Sequence, residues 1–219
     1  MEVQAEHASQ LLEKVVAAAH ARISPDMKTD TRNPSVSQSQ RALFLDRDGI
    51  MNEEVGYLWK PEDVQFVPGV INLCRAARTL GYRLIVVTNQ AGIARGYYTE
   101  ADFLALMEWM RAELRREGVE LDAVYYCPFH PEHGVGGYKR ESFDRKPQPG
   151  MLLRGKTEFG LDMAASVFVG DRCTDVGAGN AAGVGRMFLL KGTEVTPCVG
   201  KYVPVDSLAR VMEWLVEMG

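Results

Sequence analysis

Short, unbroken apolar runs that end on a polar residue constrain this chain more than any other feature. Ala42-Leu43-Phe44-Leu45 ends at Asp46, Leu84-Ile85-Val86-Val87 ends at Thr88, and Ala123 to Tyr126 ends before Cys127. Ser166 to Val169 leads into Gly170-Asp171, and Arg186 to Leu190 completes the series. A strand apolar at every position, rather than at every second one, is covered on both faces, as in a parallel sheet between helices. The intervening segments are helical. Pro68-Gly69 opens one helix with Val70, Leu73, Cys74, Ala77 and Leu80 on one face, and Gly81 stands where a terminating glycine belongs. Thr99, with Asp102 three residues on, begins another whose apolar face is Phe103, Leu106, Met107, Met110 and Leu114. Pro149-Gly150 leads into a third, and Asp206 caps a last one carrying Leu208, Val211, Met212 and Leu215. The alternation predicts an α/β fold with a doubly wound, mainly parallel sheet. Ligands in such folds bind beyond the carboxyl ends of the strands.

The 219 residues fit one such domain with an appendage. Residues 6–23 place Leu12, Val15, Val16, Ala19 and Ile23 at helical spacing, and the polar stretch from Ser24 to Gln40 reads as a linker or strap. The expected division is therefore 1–40, an N-terminal helix and linker, and 41–219, the domain. A monomer is expected, with the N-terminal helix able to dock on the domain or to mediate a dimer. A formal charge of −4, with both signs interspersed, argues against a nucleic-acid footprint or a polybasic membrane patch. No apolar run approaches the roughly 18–20 residues that span a bilayer. The first residues lack a basic region followed by an apolar one, so a cytoplasmic location is expected. Cys74, Cys127, Cys173 and Cys198 are too few and too scattered for a disulfide framework, although four cysteines and four histidines suffice for one metal site.

The polar residues just after the strands carry the chemistry. Asp46 and Asp48 bracket Arg47 after the first strand, so that one carboxylate can act as nucleophile or metal ligand while the other moves protons. A capped turn would use the same pair without any chemistry. After the second strand, Thr88-Asn89-Gln90-Ala91-Gly92 offers neutral donors to a phosphate oxygen, or simply caps a helix. Lys146 sits beside Pro147, which stiffens its position; alone, Arg145-Lys146 is equally a solvated basic pair. Asp171 after the fourth strand could complete a divalent-cation site with the first carboxylates, while Asp175 orients a ligand or caps a helix. Together, four consecutive strand ends supply paired Asp, Thr, Lys and Asp in that order.

This ordered set resembles the haloacid dehalogenase (HAD) superfamily of phosphohydrolases, and most closely its branch of heptose-bisphosphate and histidinol-phosphate phosphatases. The resemblance spans about residues 41–192. It rests on Phe44-Leu45-Asp46-Arg47-Asp48-Gly49, Gly56-Tyr57, Val87-Thr88-Asn89-Gln90-Ala91-Gly92-Ile93-Ala94-Arg95-Gly96, Tyr125-Tyr126-Cys127-Pro128, Arg145-Lys146-Pro147-Gln148-Pro149-Gly150-Met151 and Val169-Gly170-Asp171. It implies a HAD-like Rossmann-type fold and a Mg²⁺-dependent phosphomonoester hydrolase acting on a small sugar phosphate, foremost the 7-phosphate of D-glycero-D-manno-heptose 1,7-bisphosphate; histidinol phosphate is the alternative. Asp46 would attack phosphorus, and Asp48 would protonate the leaving oxygen and then activate water, which requires neighbours that hold a proton on it. Mg²⁺ would be held by Asp46, the Asp48 carbonyl and Asp171. Thr88 and Lys146 would bind the transferring phosphoryl group. Glu54, Val55, Gly56, Tyr57, Asn89, Gln90, Ala91 and Arg145 would meet the substrate, as would Arg172, which stands where the family has lysine.

Only 42 positions separate Asp46 from Thr88 (88 − 46), and 58 separate Thr88 from Lys146 (146 − 88), which leaves no room for a helical cap. Short loops, chiefly 50–60 and 128–145, are expected to shape the site as a minimal cap. The family's zinc loop carries Cys-x-His and then Cys-x-Cys; here Cys127 is kept, but Phe129, Ser142 and Asp144 replace the other ligands. A loop without zinc, held by Phe129 and Phe143, is the expectation; a substitute set of Cys127, His130, His133 and Asp144 is chemically acceptable to zinc. Two rivals from other classes are a phospho-accepting receiver domain and a catalytically silent sugar-phosphate-binding protein. Asp48 counts against the first, because a lasting phosphoryl switch gains nothing from a built-in acid/base.

Overall fold

The structure, a computed structural model, describes residues 40–191 and 197–218. The helix expected over 6–23 and nearly all of the linker lie outside the described residues. Six strands form one sheet: β1 (Arg41–Leu45), β2 (Tyr82–Asn89), β3 (Ala123–Cys127), β4 (Val167–Gly170), β5 (Arg186–Leu190) and β6 (Val203–Val205). Their order is β3-β2-β1-β4-β5-β6, and every pairing is parallel. The chain starts at the centre, works outward to β3, then crosses back to β4 and works outward again. The strand order therefore reverses beside β1, and a doubly wound sheet opens its crevice there.

Alternate residues of each strand feed two separate cores. Leu43, Leu45, Leu84, Val86 and Val169 pack with α1 (Val70–Thr79), α3 (Glu100–Arg116) and α6 (Leu208–Met218). Ala42, Phe44, Ile85, Val87 and Phe168 pack on the other face with α4 (Gly150–Phe159) and α5 (Cys173–Ala182). This two-sided burial is why the strands read as continuous apolar runs. At α3 the Thr99 side chain accepts from the Asp102 amide while Asp102 accepts from the Thr99 amide, so the expected capping box is complete.

Two elements and one bond depart from the expectations. Val203-Pro204-Val205 adds an edge strand whose three residues and central proline hide it from any pattern of alternation. The single turn α2 (Ala91–Ala94) is too short to show a period. Cys173 and Cys198 form a single disulfide, where the sequence reading expects the cysteines to be too few and too scattered for a disulfide framework. They lie 25 positions apart, but Cys173 opens α5 and Cys198 lies on the segment returning to β6. The Asn180 amide fastens that segment along α5, donating to the Lys201 carbonyl at 3.0 Å and accepting from the Lys201 amide at 2.9 Å. No described helix is long and apolar enough to cross a membrane.

Candidate active site

The ends of β1, β2 and β4 open onto a cavity of about 550 Å³, and the chain leaving each strand lines it. At β1 the Asp46 amide still donates to Val169 of β4 at 3.0 Å, so the nucleophile candidate is held in sheet register. The backbone then turns sharply, with the Gly49 amide donating to Asn52 at 2.7 Å. Gly49 has φ +83°, and a Cβ there would meet Asp171 Oδ2 at 2.3 Å. Only glycine lets the β1 loop come this close to the acid of β4.

Three buried carboxylates and one lysine form the floor. Lys146 Nζ lies 2.9 Å from Asp46 Oδ2 and 2.6 Å from Asp175 Oδ1, and it donates to the Val87 carbonyl at 3.0 Å. Burial works against the Lys146 charge, but Asp175 and Asp46 outweigh it and raise its pKa, so the ammonium is retained. Burial pushes the Asp46 carboxyl up to about 8; Lys146 opposes that shift, while Asp175 and Asp171 add to it. Burial, reinforced by Asp175, likewise takes Asp171 up to about 7 against the pull of Arg172 and Lys146. One ammonium does not balance three carboxylates. Oxygens of Asp46, Asp171 and Asp175 all lie within 4.8 Å of one another, and Asp171 Oδ1 is buried with no hydrogen-bond partner. An all-oxygen donor set with surplus negative charge fits a hard divalent cation.

Asp48 sits at the rim in different company. Its Oδ1 accepts from Arg47 Nη2 at 2.7 Å, Arg47 Nε at 3.0 Å and Asn52 Nδ2 at 3.1 Å, and its Oδ2 accepts from Gln90 Nε2 at 3.2 Å. Four donors thus reach this carboxylate. Arg47 is 1% exposed and also donates to the Leu58 carbonyl at 3.1 Å, which ties Asp48 to the 50–60 loop.

The donors after β2 are largely occupied within the protein. Gln90 Nε2 also donates to Thr88 Oγ1 at 2.8 Å, and Gln90 Oε1 accepts from the Tyr98 hydroxyl. Asn89 clamps the backbone of Lys146 from both sides, accepting from its amide and donating to its carbonyl, each at 3.0 Å. Asn89 thus positions the lysine while still lining the cavity. Arg172 pairs with Glu54 at 2.6 Å, joining the β4 end to the 50–60 loop.

Asp46, Asp48, Glu54, Gly56, Tyr57, Thr88, Asn89, Gln90, Ala91, Arg145, Lys146 and Arg172 all line the cavity, and Asp171 flanks Asp46 beneath it. Val55 does not line it and is half-exposed. The lining also contains Arg95 and Tyr98, which the sequence did not mark as site residues, and His130, which it marked only as a member of a substitute zinc set. Their signal was indirect: Arg95 and Tyr98 follow the Thr88 to Gly92 segment closely enough to be carried by the same turn. In the 128–145 loop, Arg140 covers the Phe129 ring at 3.7 Å and the Tyr138 hydroxyl donates to Glu100 at 2.7 Å. His130 Nδ1 accepts from the amides of Glu132 and His133 at 3.2 and 3.0 Å, and the Cys127 thiol reaches the Phe129 carbonyl at 3.9 Å. Among the described residues, the only cluster of three or more His, Cys, Asp or Glu close enough to share a metal is Asp46, Asp171 and Asp175.

Carboxylates, a lysine and a threonine meeting at the carboxyl ends of a parallel sheet define a phosphohydrolase of the HAD type. The family model described as HAD-hydrolase-like matches residues 143–209. A D-glycero-α-D-manno-heptose-1,7-bisphosphate 7-phosphatase from Burkholderia mallei is 53% identical over 150 residues, covering 68% of this chain and 79% of that protein. A D-glycero-β-D-manno-heptose-1,7-bisphosphate 7-phosphatase from Vibrio cholerae is 48% identical over 180 residues, covering 81% and 97%. The crystal structure of D,D-heptose 1,7-bisphosphate phosphatase from B. bronchiseptica, complexed with magnesium and phosphate, superposes with a TM-score of 0.69 at 26% identity, covering 82% of this chain and all of that one. The chain belongs to the heptose-bisphosphate phosphatase family of HAD hydrolases, and it is a phosphatase.

Proposed function

We propose that this phosphatase removes the 7-phosphate of D-glycero-D-manno-heptose 1,7-bisphosphate through an aspartyl-phosphate on Asp46. The observation that carries the reading is the position of Asp46: an acid fixed at the end of the central strand, 2.9 Å from Lys146, on the floor of a cavity large enough for a sugar phosphate. In the first step an Asp46 oxygen bonds to phosphorus, the ester P–O bond breaks, and Asp48 gives its proton to the departing sugar oxygen. In the second, Asp48 takes a proton from water, the resulting hydroxide oxygen bonds to phosphorus, and the Asp46 acyl-phosphate bond breaks to release inorganic phosphate. For the first step the Asp48 carboxyl must gain a proton and leave its resting contacts with Arg47, Asn52 and Gln90. Lys146 and the Thr88 hydroxyl contact the phosphoryl oxygens, and Asn89 keeps Lys146 in place while they do. Asp46, Asp171 and the Asp48 carbonyl would hold Mg²⁺, which when bound offsets charge on the phosphoryl oxygens.

We place the enzyme in the cytoplasm, where a sugar bisphosphate carrying about −3 to −4 is retained; among the described residues the Cys173–Cys198 bond is a feature better suited to an oxidising compartment. The test is phosphate release with and without Mg²⁺ from both anomers of heptose 1,7-bisphosphate, histidinol phosphate and simple sugar phosphates. Multiple turnover on a heptose bisphosphate is expected, falling at least about a thousandfold in Asp46→Asn with the circular dichroism unchanged. Preference for histidinol phosphate would overturn the substrate, and unimpaired turnover by Asp46→Asn would overturn the mechanism.

A further inference from the structure

The Cys173–Cys198 bridge lies beside the acids and the lysine of the site without belonging to them. Cys173 is the first residue of α5, and its chain neighbours carry site groups on either side. Arg172 and Thr174 line the cavity, and Asp171 is one of the three clustered acids. Asp175 has two partners in this same turn: its Oδ2 accepts from the Arg172 amide at 3.0 Å, and its Oδ1 lies 2.6 Å from Lys146 Nζ. One turn further on, a Cβ at Gly177 would meet Pro147 Cβ at 2.8 Å, so α5 packs directly against the residue after Lys146. The first turn of α5 therefore sets the place of Asp175 and, through it, of Lys146.

The other half of the bridge holds that turn from outside. Residues 197–201 run along α5, fastened at one end by the bridge and at the other by the Asn180 amide, which is paired with both backbone groups of Lys201. Apolar packing adds little, since Pro197, Val199 and Gly200 are exposed, Val199 at 94%. Cys173 and Cys198 are both half-buried, within reach of a dithiol, whereas Cys74 and Cys127 are buried free thiols. A bridge met in a reducing compartment is as a rule transient and redox-sensing, and accessible bridges are the ones that exchange.

We propose that Cys173–Cys198 is a redox-modification site that sets the turnover of the phosphatase, with the bridged form active and the reduced form slower. One thiolate of a dithiol attacks a bridge sulfur, the S–S bond breaks, and the other sulfur departs as a thiolate. The dithiol's second thiolate then displaces the remaining cysteine from the mixed disulfide. The bridge gains two electrons, the dithiol becomes a disulfide, and its two protons end on Cys173 and Cys198. The first turn of α5 then loses its tie to residues 197–201, and Asp175 no longer holds Lys146 at one fixed place. This draws on the phosphatase class alone and not on the heptose reading.

The test uses the full chain, oxidised in air or treated with dithiothreitol, with Cys198→Ser beside it. Alkylation after denaturation is expected to label two cysteines in the oxidised protein and four in the reduced one. Phosphate release, from whichever substrate of the panel above turns over fastest, is expected to fall about 3- to 30-fold on reduction and to return on reoxidation. In Cys198→Ser it should stay low with or without dithiothreitol. Amide exchange at residues 172–176 should quicken in the reduced protein and in the variant, and it decides the proposal if no substrate of the panel is turned over. Four labels before reduction overturn the proposal, because no bridge then forms. Unchanged or faster turnover on reduction overturns it too, even with a lower melting temperature, which is what a purely stabilising bridge would give. So does a response of Cys198→Ser to dithiothreitol equal to that of wild type, since the effect then comes from another thiol.

Discussion

The two walls of the cavity are built on opposite terms. At the strand ends nearly every charge has a partner: Lys146 lies between Asp46 and Asp175, Arg172 meets Glu54, and Arg47 grips Asp48. Lys146, Asp46, Asp175 and Arg47 are buried, whereas the Arg172–Glu54 pair closes the exposed edge of this wall. The opposite wall, from α2 and the 128–145 loop, is held by aromatic packing and carries guanidinium groups without acids. The difference separates two tasks. Bond-breaking groups need fixed distances, which a sheet supplies, and they tolerate strong charge only when it is nearly balanced. Groups that recognise the rest of a substrate keep charge in reserve, since the ligand itself completes the pairing.

The largest effect expected from breaking the balanced wall is that of Lys146→Ala. Removing the ammonium leaves Asp46, Asp171 and Asp175 facing one another in a buried site, and breaking a buried pair of this kind costs about 3–5 kcal/mol. Urea unfolding in EDTA should register that loss, and Mg²⁺ should recover more stability in the variant than in wild type, because it then replaces the buried positive charge that the variant lacks. A cost below about 1 kcal/mol would mean that the three carboxylates are not held charged together, and the contrast between the walls would lose its basis.

Most of the balanced wall was legible in the sequence because each of its residues follows a strand that announces itself. Asp46, Thr88 and Asp171 terminate apolar runs, and the parallel order then obliges them to converge. What the sequence hid were contacts that depend on side chains crossing between elements. Asn89 reads as a donor to substrate, yet both ends of its amide are taken by the Lys146 backbone, 57 positions away. Asp175 reads as a cap, and it is one, but the same carboxylate also pairs with Lys146. The disulfide was missed because separation along the chain says nothing of a return strand, and β6 is too short to be seen. Arg95 was missed for a further reason: it lies past the strand end, on a single helical turn without a period of its own.

An intermediate effect should come from Tyr98→Phe, which probes the seam between the walls. The Tyr98 hydroxyl donates to Gln90, whose amide in turn reaches Thr88 and Asp48. Deleting the hydroxyl leaves Gln90 Oε1 buried without a donor, a loss of about 1–2 kcal/mol in thermal or urea unfolding. Gln90 is then free to rotate, so turnover should fall several-fold while KM changes less. A variant altered in KM alone would place Tyr98 with the recognition wall instead.

The smallest effect, and the sharpest test of the contrast, is expected from Arg140→Ala. Arg140 stacks over Phe129 at 3.7 Å with its side chain exposed to solvent, and a cation–π contact of that kind contributes about 0.5–1 kcal/mol. Because the loop is fastened elsewhere, by the His130 amide to the Tyr138 carbonyl at 3.1 Å and by Tyr138 to Glu100, global unfolding should move by no more than that amount. Amide exchange at His130, Tyr138 and Arg140 should nevertheless quicken, since the stacked ring no longer shields that bridge. Turnover of a monophosphate should hold, because Arg140 touches none of the groups at the strand ends. Loss of monophosphate turnover together with the exchange change would show that the loop wall shapes the chemistry as well as recognition, and the division between the walls would fail.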